Sequence, residues 1–297
     1  MDLDGASSPW PARARRLWRL FEAYHAVVYF APEVRAACDG VGLRGGWMAY
    51  FAGRAAPLGR VPAEVVTATF YNFHPAMVAR AIPDAWSFAA PDTILAARTA
   101  AVGRALERVG GAEVASDAVQ SAAALAREAL GGCGLGGRPL FAAHTALGWP
   151  AAPHLALWHA CTLLREHRGD GHVAALTTAG IDGCQAHVTL AATGAVPAET
   201  LRANRGWSED EWADAAAALR ARGLLDERDA LTDAGPSLRT WIEDRTDELA
   251  AVPWQRLGDE RTAAFERAIA AAAAPILAAQ LIPFPNPMGL SPRDEVA

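Results

Sequence analysis

The sequence predicts a mainly α protein made of two similar helical domains in tandem. Three observations predict it. First, residues 59–64 read Gly-Arg-Val-Pro-Ala-Glu and residues 194–199 read Gly-Ala-Val-Pro-Ala-Glu, so Val-Pro-Ala-Glu recurs 135 positions on. Tyr24-His25-Ala26 is answered by Trp158-His159-Ala160, 134 apart, and Gly42-Leu43-Arg44-Gly45 by Gly180-Ile181-Asp182-Gly183, 138 apart. Three matches in one order, at nearly one offset, point to internal duplication. Second, apolar residues recur at helical spacing along most of the chain, as in Leu17, Leu20, Phe21, Tyr24 and Val28. Third, residues 131–137 hold five glycines in seven, a linker where a boundary between copies should fall. The domains are then 10–131 and 150–282, with a linker and connector over 132–149 and a loose, proline-rich tail over 283–297.

The elements follow in order. Helices are expected at 13–29, 32–38, 47–51 and 63–70, with a connector over 53–62. Asn72-Phe73-His74-Pro75 reads as a turn with proline at the first position of the next helix, where its missing N–H is harmless. Helices at 91–109 and 116–130 complete the first copy. The second opens with a helix at 155–167, a turn at Arg168-Gly169-Asp170-Gly171 and a helix at 172–179. Helices at 199–204 and 209–222 flank a turn at Gly206-Trp207-Ser208. Ser208 suits an N-cap, and Glu211 three residues on completes a capping box. After the charged tip at 226–229 come helices at 234–250 and 261–281.

Composition narrows the function. The chain has 297 residues, 52% of them apolar, with a net charge of −6 and a pI near 5.8. All 27 basic residues are arginine. This balance disfavours a protein devoted to a polyanion. Cys38, Cys133, Cys161 and Cys184 are scattered, as free thiols in a reducing cytosol would be. The N-terminus carries no apolar signal core, and no stretch suits a membrane span, so a cytoplasmic protein is expected.

Helix, turn, helix, a small β-ribbon and a further helix make a winged helix. The strings Ala218-Leu219-Arg220-Ala221-Arg222-Gly223-Leu224-Leu225 and Leu231-Thr232-Asp233-Ala234-Gly235 resemble the recognition helix, wing and following helix of MarR-type regulators, over residues 197–250. TFYNFHP, LWHACTLLREHRGDGHVAAL and RGWSEDEW resemble an actinobacterial family described as carrying a helix-turn-helix domain. The resemblance implies two tandem winged-helix-like domains with small β-ribbons at the wings; it implies no particular activity. Nucleic acid is a poor partner for this helix, because Glu209, Asp210, Glu211 and Asp214 crowd the end that would enter a groove.

The densest polar segment surrounds His159. His159 and Glu166 share a helical face, with His167, Asp170 and His172 beyond. The spacing matches no zinc-protease pattern, and Asp170 also suits an N-cap. Duplication adds weight to His25 and His159, which follow Tyr24 and Trp158. About a twofold axis they would face one hollow, able to bind a metal or haem iron or to serve as acid and base. The alternative is that each bonds within its own core. Tyr24, Tyr29, Arg54, Tyr71, Trp158, Arg165, Glu166, Asp170 and His172 are the supporting ligand-binding candidates, with Arg54 suited to an acidic group. No Ser/His/Asp signature is legible, and whether the protein is an enzyme stays open. The expected function is binding of a small, partly aromatic or acidic molecule between the halves. The competing readings are a DNA-binding regulator and a partner-binding module.

Overall fold

A computed structural model describes residues 8–283 and 286. The first part of the chain forms α1 (Trp10–His25), α2 (Val27–Phe30), α3 (Pro32–Gly40), α4 (Gly45–Ala55), α5 (Ala63–Phe70), α6 (Pro75–Ala79), α7 (Ala85–Phe88), α8 (Pro91–Gly110) and α9 (Asp117–Leu130). The rest forms α10 (Pro139–Thr145), α11 (Pro153–Thr178), α12 (Gly183–Ala191), α13 (Ala198–Arg205), α14 (Glu209–Ala221), α15 (Ala234–Ala250), α16 (Val252–Leu257) and α17 (Asp259–Ala278). Proline begins α3, α6, α8, α10 and α11, where its fixed φ suits the first turn. Ser116 caps α9, while Asp182 and Ser208 form capping boxes with Gln185 and Glu211. Both Val-Pro-Ala-Glu strings place their proline, Pro62 or Pro197, at the N-cap of an eight-residue helix. The loose tail expected over 283–297 falls almost wholly outside the described residues.

α11 is the central element. It packs on α9, α15, α1 and α10, while α17 closes over α9 and α1. The main core therefore joins early residues such as Leu17, Phe21, Ile94 and Val102 to late ones such as Leu157, Trp158, Phe265 and Ile269. A smaller core gathers Leu176, Ile181, Val188, Leu219, Leu225 and Ile242 from α11, α12, α14 and α15. No helix among the described residues is long and apolar enough to cross a membrane.

Two expectations are corrected. The winged-helix assignment fails, because no β-ribbon forms among the described residues. Residues 223–232 make only a single antiparallel bridge, Leu225 to Leu231. The Asp226 carboxylate accepts from the backbone N–H groups of Arg228 and Ala230, at 2.8 and 2.9 Å. That tight turn satisfies the tip locally and leaves too few residues for a ladder. After α6 the chain passes through turns into α7, again without strands. The second correction concerns Arg168-Gly169-Asp170-Gly171, which is no turn. The 26-residue α11 runs straight through it. Glycine weakens an isolated helix by about 1 kcal/mol, but here packing decides. A Cβ on Gly171 would meet Leu249 Cβ at 3.2 Å and Arg138 Nη1 at 3.1 Å, so the bare backbone admits α15 and the Arg138 side chain. Asp170 is consequently mid-helix rather than an N-cap.

Candidate functional site

α1, α2, α3, α4, α8, α10 and α11 line a partly open cavity of about 110 Å³. Its polar wall includes His25, Tyr29, Tyr50, Arg54, Arg98 and Glu166, with Val28, Val34 and Trp158 on the apolar side. α1 and α11 are fixed to each other here. Trp158 donates its indole N–H to the His25 carbonyl at 3.3 Å, and Tyr24 donates its hydroxyl to the His154 carbonyl at 3.3 Å.

The hydrogen bonds define the state of His25. Thr162 gives its only hydroxyl proton to the Trp158 carbonyl, 2.9 Å away. Thr162 can then only accept from His25 Nδ1 at 3.0 Å, so Nδ1 carries the proton. Burial first, then Arg165, drives the His25 pKa well below that of free imidazole, so the ring is neutral. Nε2 is therefore an acceptor and takes the Tyr29 hydroxyl proton at 3.0 Å. The result is one directed chain, Tyr29 to His25 to Thr162 to backbone.

Next to it lies a buried ion cluster. Arg54 grips Glu166 with Nη2 at 3.0 Å from Oε2 and with Nε at 3.3 Å from Oε1. Arg165 Nη1 reaches Glu166 Oε2 at 2.9 Å, and its Nε lies 3.7 Å from Glu22. Burial pushes the Glu166 carboxyl up, but Arg165 and Arg54 outweigh it and hold the group well below the usual range. Glu22 goes the other way, since burial exceeds the help from Arg165. Tyr50 accepts from Arg54 Nη1 at 3.0 Å. Burial raises that phenol, but Arg54, Arg165 and Arg205 together bring it below its ordinary value.

Of the residues singled out in sequence, His25, Tyr29, Arg54, Trp158 and Glu166 meet at this cavity, and Arg165 joins through Glu166. The others lie elsewhere. His159 is buried beside Trp149, ring centroids 4.9 Å apart, with its Nε2 unpartnered, and it does not line the cavity with His25. Burial lowers its pKa to about 4. Tyr71 donates to the Ile181 carbonyl at 2.6 Å, Asp170 accepts from the Phe141 N–H at 2.9 Å, and His172 bonds Thr246 at 2.9 Å. No group of three or more His, Cys, Asp or Glu side chains among the described residues is placed to hold a metal ion. Sequence reasoning missed Arg98 and His144. Arg98 had a signal: it sits in the apolar stripe of α8, among Ile94, Ala101, Val102 and Ala105. His144 donates Nδ1–H to the Leu140 carbonyl at 2.8 Å, and burial lowers its pKa to about 3.

α13 and α14, the segment expected to form a helix-turn-helix, make a second contact between late and early parts of the chain. Their elbow is seated on residues 72–77. Trp207 donates its indole N–H to the Asn72 carbonyl at 3.1 Å, His74 N–H donates to the Arg205 carbonyl at 2.9 Å, and His74 Nε2 meets Glu211 Oε1 at 2.6 Å. A Cβ on Gly206 would lie 3.0 Å from Met77 Cβ. At the start of α12, a Cβ on Gly183 would lie 2.2 Å from the Tyr71 carbonyl oxygen. Glu209 and Asp210 remain exposed on α14. Its basic residues are engaged: Arg220 pairs with Asp229, and Arg222 donates to the Gly180 and Ala179 carbonyls at 2.7 and 3.0 Å.

No curated protein and no solved structure matches the chain. A family model described as a helix-turn-helix family matches residues 14–283. That span includes the cavity, the elbow and nearly all the described helices, so the chain belongs to this helix-turn-helix family.

Proposed function

We propose that the protein binds a small organic molecule in the cavity lined by α1, α2, α3, α4, α8, α10 and α11, and that its helix-turn-helix segment serves the fold rather than DNA. The observation that carries the reading is the chamber itself, where an ion cluster, a neutral imidazole and two phenols converge. An engineered protein cavity of about 150 Å³ takes up benzene, so a chamber of about 110 Å³ suits a short-chain or single-ring ligand. Two features favour a ligand over nucleic acid. The α14 elbow is covered by residues 72–77, and the exposed start of α14 is acidic, where a groove-reading helix would face phosphates. His25 commits both ring nitrogens to Thr162 and Tyr29, which favours an organic ligand over a metal or haem held by His25 and His159. Four unpaired, buried cysteines accord with a cytosolic setting.

A ligand-observed NMR screen of small organic fragments tests the reading. Binding to the native protein is expected, and Ala49→Leu, which fills the chamber, should abolish it. Fragments that bind the filled variant equally well, or no binding at all, would refute the proposal. Family membership supports the second reading, a DNA-binding regulator. A salt-sensitive mobility shift on duplex DNA would favour that reading instead.

A further inference from the structure

Arg98 differs from every other guanidinium around the chamber. Arg54 and Arg165 share Glu166, and Arg35 at the rim pairs with Asp39. Arg98 is 6% exposed, and no carboxylate among the described residues lies within ion-pair distance of it. One of its five N–H groups has a structural task. The Gly53 carbonyl, in the last turn of α4, would ordinarily meet the N–H of residue 57, but that residue is a proline. Arg98 Nη1 supplies the missing donor at 2.5 Å. A single carbonyl does not require a guanidinium, and Nε is left buried without a partner. The cation lies 5.3 Å from the Trp158 ring centroid.

An uncompensated buried charge is strongly unfavourable. The chamber wall and the ion cluster behind it set Arg54, Arg98 and Arg165 against Glu166 and Glu22, and burial pushes Glu22 toward its neutral form. At least one positive charge is therefore unmatched, and burial, the largest of several causes, brings Arg98 down to about 10. A planar guanidinium with free donors is matched by a carboxylate, which accepts two parallel N–H bonds.

We propose that the chamber takes a small carboxylate, paired with Arg98, whose apolar remainder packs against Trp158, Val28 and Val34. This assignment rests on the chamber being a binding site. It adds the charge class of the ligand and names the residue that sets it.

Calorimetry at neutral pH with benzoate and butyrate, each against its neutral amide, tests the assignment. The carboxylates should bind at least roughly 10-fold more tightly than benzamide and butyramide. Removing one charge-assisted partner corresponds to about a 10- to 100-fold loss, so Arg98→Met should weaken the carboxylates by that factor and leave the amides unchanged. Arg98→Lys keeps the charge and a donor for Gly53, and should retain part of the affinity. It also serves as the folded control if Arg98→Met is unstable. Amides that bind as tightly as carboxylates, or affinity unchanged in both Arg98 variants, would overturn the carboxylate assignment while leaving the chamber as a site. If neither acids nor amides bind and the fragment screen is also silent, both proposals fall.

Discussion

Glu166 and Glu211 perform the same formal task in two regions of the molecule. Each is a helical glutamate from the later part of the chain that holds a basic side chain from the earlier part. Glu166 takes Arg54 in the chamber, and Glu211 takes His74 at the elbow. Their surroundings differ. The Glu166 side chain is 1% exposed and shared by two arginines, whereas that of Glu211 is 41% exposed and already engaged in a capping box. The same contact therefore carries different weight. Within the chamber a lost charge leaves its partners stranded away from water; at the elbow, solvent takes over.

The sharpest way to break this comparison is Glu166→Gln. It strands Arg54 and Arg165, and it should destabilise the fold by about 3–5 kcal/mol, the range for a broken buried pair. A denaturant titration that moves no further than for a surface mutation would show that water reaches the cluster.

Acid should act next most strongly, and through the interior. Burial lowers the pKa values of His144, His167 and His187 to about 3 from a reference of 6.5, and that of His159 to about 4. The unfolded chain thus takes up protons first. The stability linked to these neutral rings is complete above pH 6.5 and lost as pH falls below it, by up to about 1.4 kcal/mol per ring per pH unit. Glu166 adds to the loss below its reference value of 4.5, because its folded pKa is depressed. Urea midpoints should fall steadily from pH 7 to pH 5, and a flat profile would contradict the burial of the imidazoles.

The two histidines in matching sequence contexts sharpen the point further. His25→Ala breaks the chain from Tyr29 to Thr162 and should cost about 2–3 kcal/mol, since it empties a packed site and leaves the Tyr29 hydroxyl without its acceptor. His159→Leu removes a ring nitrogen that has no partner and should change stability by less than about 1 kcal/mol, in the favourable direction if at all. Equal losses in a thermal melt would mean that His159 has a role equivalent to that of His25. The smallest effect is expected at the elbow, where Glu211→Ala should cost about 0.5–1 kcal/mol from its cap and ion pair.

Most of the helices were legible because local rules govern them. Proline at a first turn, the Ser208–Glu211 box and glycines at turns all act within a few residues. The failures came where tertiary packing overrides local preference. Gly169 and Gly171 look like a break but sit inside α11, because Arg138 and α15 need the room. The strings around 223–232 look like a wing, yet Asp226 closes the tip on itself. At the site, five of the eleven candidates line the chamber and Arg165 reaches it through Glu166. His159 shares a sequence context with His25 but not its surroundings. Arg98 was hidden because an arginine in an apolar stripe gains meaning only once its neighbours in space are known.

Gly183 turns this packing into an experimental handle. A methyl group at that position would collide with the Tyr71 carbonyl while leaving the Arg54–Glu166 contact in the chamber untouched. A glycine-to-alanine change would therefore act as a wedge, forcing the 71–77 loop away from the helices it covers. Whatever recognition capacity the hidden surface has kept could then be assayed directly, in a chain whose charges are all native.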